Sequence, residues 1–197
     1  MDKTIYLIRH GTIGIRTEKR YVGITDLHLD NEGIEQAYFL KNYFKQIPIN
    51  IVFTSPLRRC LQTSEIICEE KKQDYIVVKE FREINMGNWE NISIASIRKD
   101  FPKLYEERGK DFASFVPPNG ESFRQLSNRV LLAFDRIVNN KYENIMIVAH
   151  AGVNRVILSH LLGFCVQDIF NIQQPYGCVN KLILNDENPK WQYKQII

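Results

Sequence analysis

Ile5-Tyr6-Leu7-Ile8-Arg9-His10-Gly11 decides how this chain is read. Four apolar residues in a row predict a short buried strand, and the run stops at an arginine, a histidine and a glycine. At the carboxyl end of a strand in an open α/β sheet, side chains face the crevice where ligands bind. Arg9 brings a fixed charge and a planar donor fork suited to phosphate oxygens. His10 brings a ring nitrogen able to attack phosphorus, and Gly11 would let backbone come close to a ligand.

Working outward, the same pattern recurs at Ile145-Met146-Ile147-Val148-Ala149-His150-Ala151-Gly152, again an apolar run that ends in a histidine and a glycine. A helix follows it to about Leu162, where Gly163 stops it. Between the two runs, Gly11 to Asp30 reads as a long polar loop. Asp30 caps a helix reaching Lys45, with Ile34, Ala37, Phe39, Leu40 and Phe44 near helical spacing. Ile51-Val52-Phe53 and Ile76-Val77-Val78 are short strands. Ser55-Pro56 predicts a helix start, serine at the cap and proline at the first helical position, with the helix running to about Lys72. Glu121 to Asn139 is an amphipathic helix, with Phe123, Leu126, Val130, Leu131, Phe134 and Ile137 on its apolar face. The tail from Cys178 to Ile196 reads as two strands around a polar turn at Asn185 to Pro189.

Strands alternating with helices predict an α/β fold. The expected form is a three-layer sandwich, a mainly parallel central sheet with helices on both faces. Asp100 to Asn119 is rich in charge, and its Phe101, Tyr105, Phe112 and Phe115 need something to pack on, so a small helical cap insertion is expected at about residues 90–120. With 197 residues, a single domain over 1–197 is the expected organisation.

Composition narrows the function. Hydrophobic residues make up 44% and charged residues 25%, as in soluble globular proteins. A net charge of +3, spread along the chain, gives no reason to expect a nucleic-acid partner. No apolar run approaches a membrane span, and Met1-Asp2-Lys3-Thr4 leads into a strand without a signal-peptide core, so a cytoplasmic location is expected. Cys60, Cys68, Cys165 and Cys178 contain no C-x-x-C pair, so free thiols are expected and neither a zinc site nor a redox motif is signalled. Oligomeric state is left open, with a homodimer among the options.

In a parallel sheet the carboxyl ends of strands face one crevice. His10, His150 and Arg9 would meet there, beside a helix start carrying Arg58 and Arg59, itself a favourable place for an anion. Such fixed positive charge is what a transferring phosphoryl group needs. Other phosphate chemistries lack their signatures. There is no G-x-x-x-x-G-K-[ST] loop and no G-x-G-x-x-G. No cysteine has an arginine six positions on, and Asp26 and Asp30 are too far apart for a D-x-D nucleophile.

These residues resemble the histidine phosphatase superfamily, the phosphoglycerate mutase-like proteins. Arg9-His10-Gly11 matches its R-H-G signature, and Tyr21 to Leu29 is similar to its R-Y-x-G-x-T-D-x-x-L loop. Ser55 to Thr63 matches S-x-L-x-R-[AC]-x-x-T, Glu83 to Glu90 matches E-x-x-x-G-x-W-E, Pro118 to Ser122 matches P-x-G-E-S, and Val148 to Arg155 matches V-x-H-[AG]-x-x-x-R. The blocks stand in family order across residues 4–155.

The resemblance implies roles. His10 would be the nucleophile that becomes phosphohistidine. Arg9, Arg59 and His150 would hold phosphoryl oxygens, and Glu83 would protonate the leaving alkoxide and then take a proton from water. As the acid, Glu83 would need a raised pKa. Arg59 rather than Arg58 falls on the motif arginine. Thr12, Arg16, Gly23 and Ala151 would join Arg9, Arg59 and His150 in binding substrate. No metal or cofactor is implied.

Thr12 stands where the family usually has an acid, and Arg16 where it often has asparagine, so substrate identity is less fixed than chemistry. The implied activity is a metal-independent phosphomonoesterase acting on a small phosphorylated metabolite. The chain looks most like the alpha-ribazole phosphatases, whose substrate is alpha-ribazole 5'-phosphate in cobalamin assembly, and also resembles broad-specificity sugar-phosphate phosphatases. A phosphoglycerate mutase and a non-catalytic phosphate-binding module are the other readings. His28, His160, Trp89 and Arg58 are read as packing or solvent-facing residues.

Overall fold

The computed structural model describes residues 2–15, 18–185 and 188–197, with backbone alone at 188 and 189. Six strands form one sheet: β1 (Lys3–Arg9), β2 (Ile51–Thr54), β3 (Tyr75–Val77), β4 (Asn144–Ala149), β5 (Val179–Asn185) and β6 (Asn188–Gln195). Their order is β3-β2-β4-β1-β5-β6. β1 to β4 pair with one another in parallel, while β5 runs antiparallel to both β1 and β6. The sheet is therefore mainly parallel, with an antiparallel hairpin at one edge as the tail's two apolar stretches predict.

The apolar runs of β1 and β4 are continuous because both faces of these strands are covered. Ile5, Leu7, Ile145 and Ile147 face a core shared with α5 (Phe123–Val138) and α6 (Ala151–Leu162). Tyr6, Ile8, Met146 and Val148 face the opposite core, shared with α1 (Asn31–Phe44) and α2 (Arg58–Cys68). The stripe on α5 is Phe123, Leu126, Val130, Ala133, Phe134 and Ile137; Leu131 is only partly buried at its edge. Ser122 starts that helix with a capping box to Gln125, and Gly163 ends α6 in the left-handed region at φ 71°.

This layering places the site. α1 leaves the end of β1 toward one face, and α6 leaves the end of the adjacent β4 toward the other. Where connections diverge in this way, a crevice opens between two strand ends. Two short helices, α3 (Ile94–Asp100) and α4 (Pro102–Lys110), lie in the stretch expected to form a cap, and Leu104, Tyr105, Phe112 and Phe115 from that stretch pack on the larger core.

Two boundaries differ from the sequence reading. Helix α2 begins at Arg58 rather than Pro56, with Leu57 at its cap, and it ends at Cys68 rather than Lys72. Ser55 does not cap it, for a reason that lies in the site. Gly11 also serves differently from expectation: a Cβ there would stand 2.5 Å from the Gly33 carbonyl oxygen, so glycine is needed for the loop to press against the start of α1.

Candidate active site

The strand pairing of β1 and β4 sets Arg9 opposite Ala149, and the His10 amide donates to the Ala149 carbonyl at 3.1 Å. His10 and His150 thus leave the sheet side by side, their ring centroids 5.1 Å apart. Both rings are buried. His10 Nδ1 lies 2.7 Å from the Gly11 carbonyl oxygen, which can only accept, so Nδ1 carries the proton and the lone pair is on Nε2. Arg59 Nε donates to that Nε2 at 3.2 Å and to His150 Nδ1 at 3.3 Å. His150 must then carry its proton on Nε2, which donates to Ser55 Oγ at 2.6 Å.

That last bond explains why the cap rule fails at Ser55. Its hydroxyl, at the end of β2, is engaged by His150 and by the Leu57 amide at 3.3 Å, and the chain makes a further turn before α2 begins.

Arg59 is 1% exposed and fixed on all sides. Its Nη1 donates to the Thr25 carbonyl and its Nη2 to the Gly23 carbonyl, each at 2.7 Å, leaving Nε–H between the imidazoles. Arg58, one position earlier, points about 100° away around the helix. It is exposed, lies 3.4 Å from the Asp26 carboxylate and donates to His28 Nε2 at 2.9 Å. Burial first, then the nearby charges of Arg59 and Arg9, hold the His10 imidazole well below the usual histidine range. His150 is held low by burial, then by Arg59, His10 and Arg9. Both rings are neutral at neutral pH. The Cys60 thiol, 3.5 Å from His150 Nε2, is pushed up to about 12 by burial and is no nucleophile.

Arg9 lies flat on Tyr176, its guanidinium carbon 3.6 Å from the ring centroid, and Nη1 donates to the Gln174 carbonyl at 2.5 Å. Its Nε is buried with no hydrogen-bond partner among the described residues. Tyr176 also stands 5.6 Å from the His10 ring. No sequence pattern marks Gln174 or Tyr176; they lie on an irregular segment before β5.

Glu83 enters from the segment after β3 and is 8% exposed. Oε1 accepts from the Ile84 amide and Oε2 from the Gly152 amide at the start of α6, each at 2.9 Å. A Cβ at residue 152 would stand 2.3 Å from Glu83 Oε1, so a side chain there would push the carboxylate out of its place. Arg129 of α5 fastens the backbone below: it donates to the carbonyls of Arg82 (2.8 Å) and Glu83 (3.0 Å) and forms a bidentate pair with Glu121 (2.7 and 2.8 Å). Glu121 of the P-x-G-E-S block therefore acts by holding the segment that carries Glu83. Glu90, the other carboxylate of the E-x-x-x-G-x-W-E block, is fully engaged. It accepts from the amides of Gly23, Ile24, Thr25 and Met86 and from the Thr25 hydroxyl, and so fixes the loop whose carbonyls hold Arg59.

Arg9, His10, Arg59, Glu83, Ala151 and Tyr176 line one crevice of about 380 Å³, with Lys19 and Arg20 at its mouth side. The expected substrate residues are placed unequally. Ala151 lines the crevice, whereas Gly23 meets the site through its carbonyl on Arg59. Thr12 turns away: its hydroxyl donates to Asp30 and its amide to Gln36, leaving no donor for a ligand. Arg16 lies outside the described residues.

Arg9, His10 and Arg59 line a crevice at the carboxyl edge of a parallel sheet, and the imidazole of His150, fully buried and outside that lining, is held against Arg59. The profile of the histidine phosphatase superfamily (branch 1) matches residues 5–196. The adenosylcobalamin/alpha-ribazole phosphatase of Escherichia coli (strain K12) is 26% identical over 184 residues, covering 93% of this chain and 91% of the relative. The uncharacterized phosphatase PhoE of Bacillus subtilis (strain 168) is 29% identical over 192 residues, covering 96% and 92%. The crystal structure of the alpha-ribazole phosphatase from Shigella flexneri superposes with a TM-score of 0.88 at 25% identity, covering 96% of this chain and 94% of that one. The chain belongs to the histidine phosphatase superfamily, and it is a phosphatase. No helix among the described residues is long and apolar enough to cross a membrane.

Proposed function

We propose that this phosphatase is a metal-independent phosphomonoesterase that works through phosphohistidine on His10. The observation that carries the reading is the orientation of His10: Gly11 takes the Nδ1 proton, and the Nε2 lone pair faces Arg59 in the crevice. A phosphoryl oxygen is a stronger acceptor than a neutral imidazole, so it draws the Arg59 Nε–H to itself and releases the Nε2 lone pair toward phosphorus. Nε2 attacks, the P–O bond to the alcohol breaks, and the departing oxygen takes a proton from Glu83. Arg9 and Arg59 offset the charge on the equatorial oxygens, the work a metal does elsewhere. His150 binds the same oxygens through Nδ1 once a dianion beside it favours its protonated form. In the second half Glu83 takes a proton from water, the water oxygen bonds phosphorus, and the N–P bond breaks to release inorganic phosphate.

For the natural substrate the reading is alpha-ribazole 5'-phosphate or a similar ester, within cobalamin assembly. Its support is likeness over nearly the full chain to enzymes named for that activity. Residues 1–197 act on this reading as one domain with α3 and α4 as its cap, and the four free thiols suit a reducing cytoplasm. The test is release of phosphate from alpha-ribazole 5'-phosphate by purified protein, run beside nitrophenyl phosphate and with excess chelator. Turnover of both, unaffected by the chelator, is expected. Turnover of neither rejects the phosphomonoesterase reading. Loss of activity to chelator, restored by added metal, rejects metal independence.

A further inference from the structure

The irregular segment before β5 reaches the crevice by gripping the end of β1. The Arg9 amide donates to the Cys178 carbonyl, and the Gly177 amide donates to the His10 carbonyl, each at 3.1 Å. The Cys178 amide donates to the Pro175 carbonyl at 3.2 Å, which closes a turn with Gly177 at φ 70°, a position that favours glycine. Gln174 anchors the other end. It is buried, and its side-chain amide pairs with that of Asn180: Nε2 donates to Asn180 Oδ1 at 3.0 Å, and Oε1 accepts from Asn180 Nδ2 at 3.1 Å. The same Oε1 accepts from Asn154 Nδ2 at 3.0 Å. Tyr176 is thus carried, half-buried, on a short bracket fixed at both ends.

The bracket sets one ring against two groups of the site. The Arg9 guanidinium carbon lies 3.6 Å from the Tyr176 centroid, and the His10 ring stands 5.6 Å away on a tilt of 55°. Stacking on a ring face fixes the plane of a guanidinium but lets it spin within that plane. A single hydrogen bond stops the spin but lets the plane swing. Arg9 has both constraints, the Tyr176 face and the Nη1 bond to the Gln174 carbonyl. Together they leave its guanidinium one orientation in the crevice that Arg9, His10 and Tyr176 line.

We infer that Tyr176 is a positioning residue for phosphoryl transfer: its ring face holds the Arg9 guanidinium in the plane from which it binds phosphoryl oxygens beside His10. The role belongs to the ring and not to the hydroxyl. It rests on the phosphomonoesterase reading for the part that Arg9 plays, and it falls to a residue beyond the motif blocks, which end at Arg155.

The test combines Tyr176→Leu and Tyr176→Phe with Arg9→Ala, each variant first checked for folding by thermal melting. Two quantities are read: the rapid-quench rate of phosphohistidine formation, and the affinity for inorganic phosphate by calorimetry. Tyr176→Leu should lower each by roughly three- to thirtyfold, the size of one cation–π contact. Tyr176→Phe, which keeps the ring, should restore both to within about twofold of wild type. Where Arg9→Ala has removed the guanidinium, Tyr176→Leu should cost about twofold or less. Should Tyr176→Leu not fold, Tyr176→Met carries the same comparison. No loss in Tyr176→Leu, or an equal loss with and without the Arg9 guanidinium, overturns the inference. A loss in Tyr176→Phe as large as in Tyr176→Leu overturns it too and gives the role to the hydroxyl. Phosphate affinity lost in Tyr176→Leu and restored in Tyr176→Phe, with no turnover of any ester by the wild type, keeps the positioning of Arg9 and rejects the reaction.

Discussion

On one side of the crevice, His10 and His150 stand at the ends of two adjacent parallel strands, and their spacing follows from the pairing of β1 with β4. On the other side, Glu83 rides on an irregular segment, held by two backbone amides and by the Arg129–Glu121 clasp beneath it. The first side is positioned by the sheet, the second by side chains that grip backbone. On the proposed reading, strand register places both the nucleophile and a phosphoryl-binding group. A clasped segment can be rebuilt without disturbing the sheet, and that side is where the alcohol of the substrate must be accommodated. Chemistry common to a family sits naturally on the first construction and substrate choice on the second.

The contrast can be broken most severely on the strand side. His10→Ala should lower kcat/KM by on the order of 10⁴ or more while leaving the fold intact, because a covalent nucleophile has no substitute in the crevice. Residual turnover within about tenfold of wild type by His10→Ala, read on nitrophenyl phosphate, removes the strand-end histidine from the mechanism.

Glu83 gives the next largest effect, and one that depends on the leaving group. An alkyl phosphate departs as a basic alkoxide and needs a proton; a nitrophenolate does not. Glu83→Gln should slow phosphohistidine formation by roughly 10²–10⁴ on alkyl phosphates and far less on nitrophenyl phosphate. Rapid-quench measurement isolates this first step from the hydrolysis that follows. Equal slowing on both substrates shows that Glu83 is not the acid. Glu90, the other carboxylate of the E-x-x-x-G-x-W-E block, could not replace it, since its oxygens are already taken by the loop at 23–25.

A third comparison lies within one helix turn. Arg59→Ala should cost roughly 10²–10³ in rate, one charge-assisted donor lost at the phosphoryl group. It should also lower stability, because the Gly23 and Thr25 carbonyls lose their donor. Arg58→Ala removes an exposed pair with Asp26 and should change kcat/KM by less than about twofold. Equal losses in the two variants would place the wrong arginine in the crevice.

The smallest effect is on stability against pH. His10 and His150 are held well below the ordinary value of 6.5, so between that value and their folded pKa the unfolded chain binds more protons. Their contribution is intact above about pH 6.5 and is lost as pH falls below it, at up to about 1.4 kcal/mol per pH unit for each ring. Denaturant titrations at pH 7, 6 and 5 should show a shallower slope for His150→Gln than for wild type. An unchanged slope contradicts the buried neutral assignment.

Much of the fold could be read in advance because β1 and β4 are buried on both faces and therefore spell themselves as unbroken apolar runs. The histidines that end two of those runs marked the crevice, and Asp30 and Gly163 marked helix ends by cap chemistry that the structure retains. Ser55 shows where local rules lose: a strong cap residue was claimed by His150, 95 positions away, and the helix began later. Gln174 and Tyr176 were illegible because they act through a carbonyl and a ring face on an aperiodic segment. Thr12 was read as a phosphate donor on its place in a motif, whereas its hydroxyl serves Asp30 at the start of α1. Arg129 lies 46 positions from Glu83 in sequence, and only the tertiary fold brings the Glu83 segment into its reach.

The central claim is that His10 Nε2 takes the phosphoryl group. Mixing wild-type protein with ³²P-labelled substrate, quenching within milliseconds and mapping the labelled residue tests it most directly. The expected result is acid-labile, base-stable phosphate on His10, formed and discharged at rates that account for turnover. Label on a serine or cysteine, or turnover with no label on His10 at any time, would contradict it.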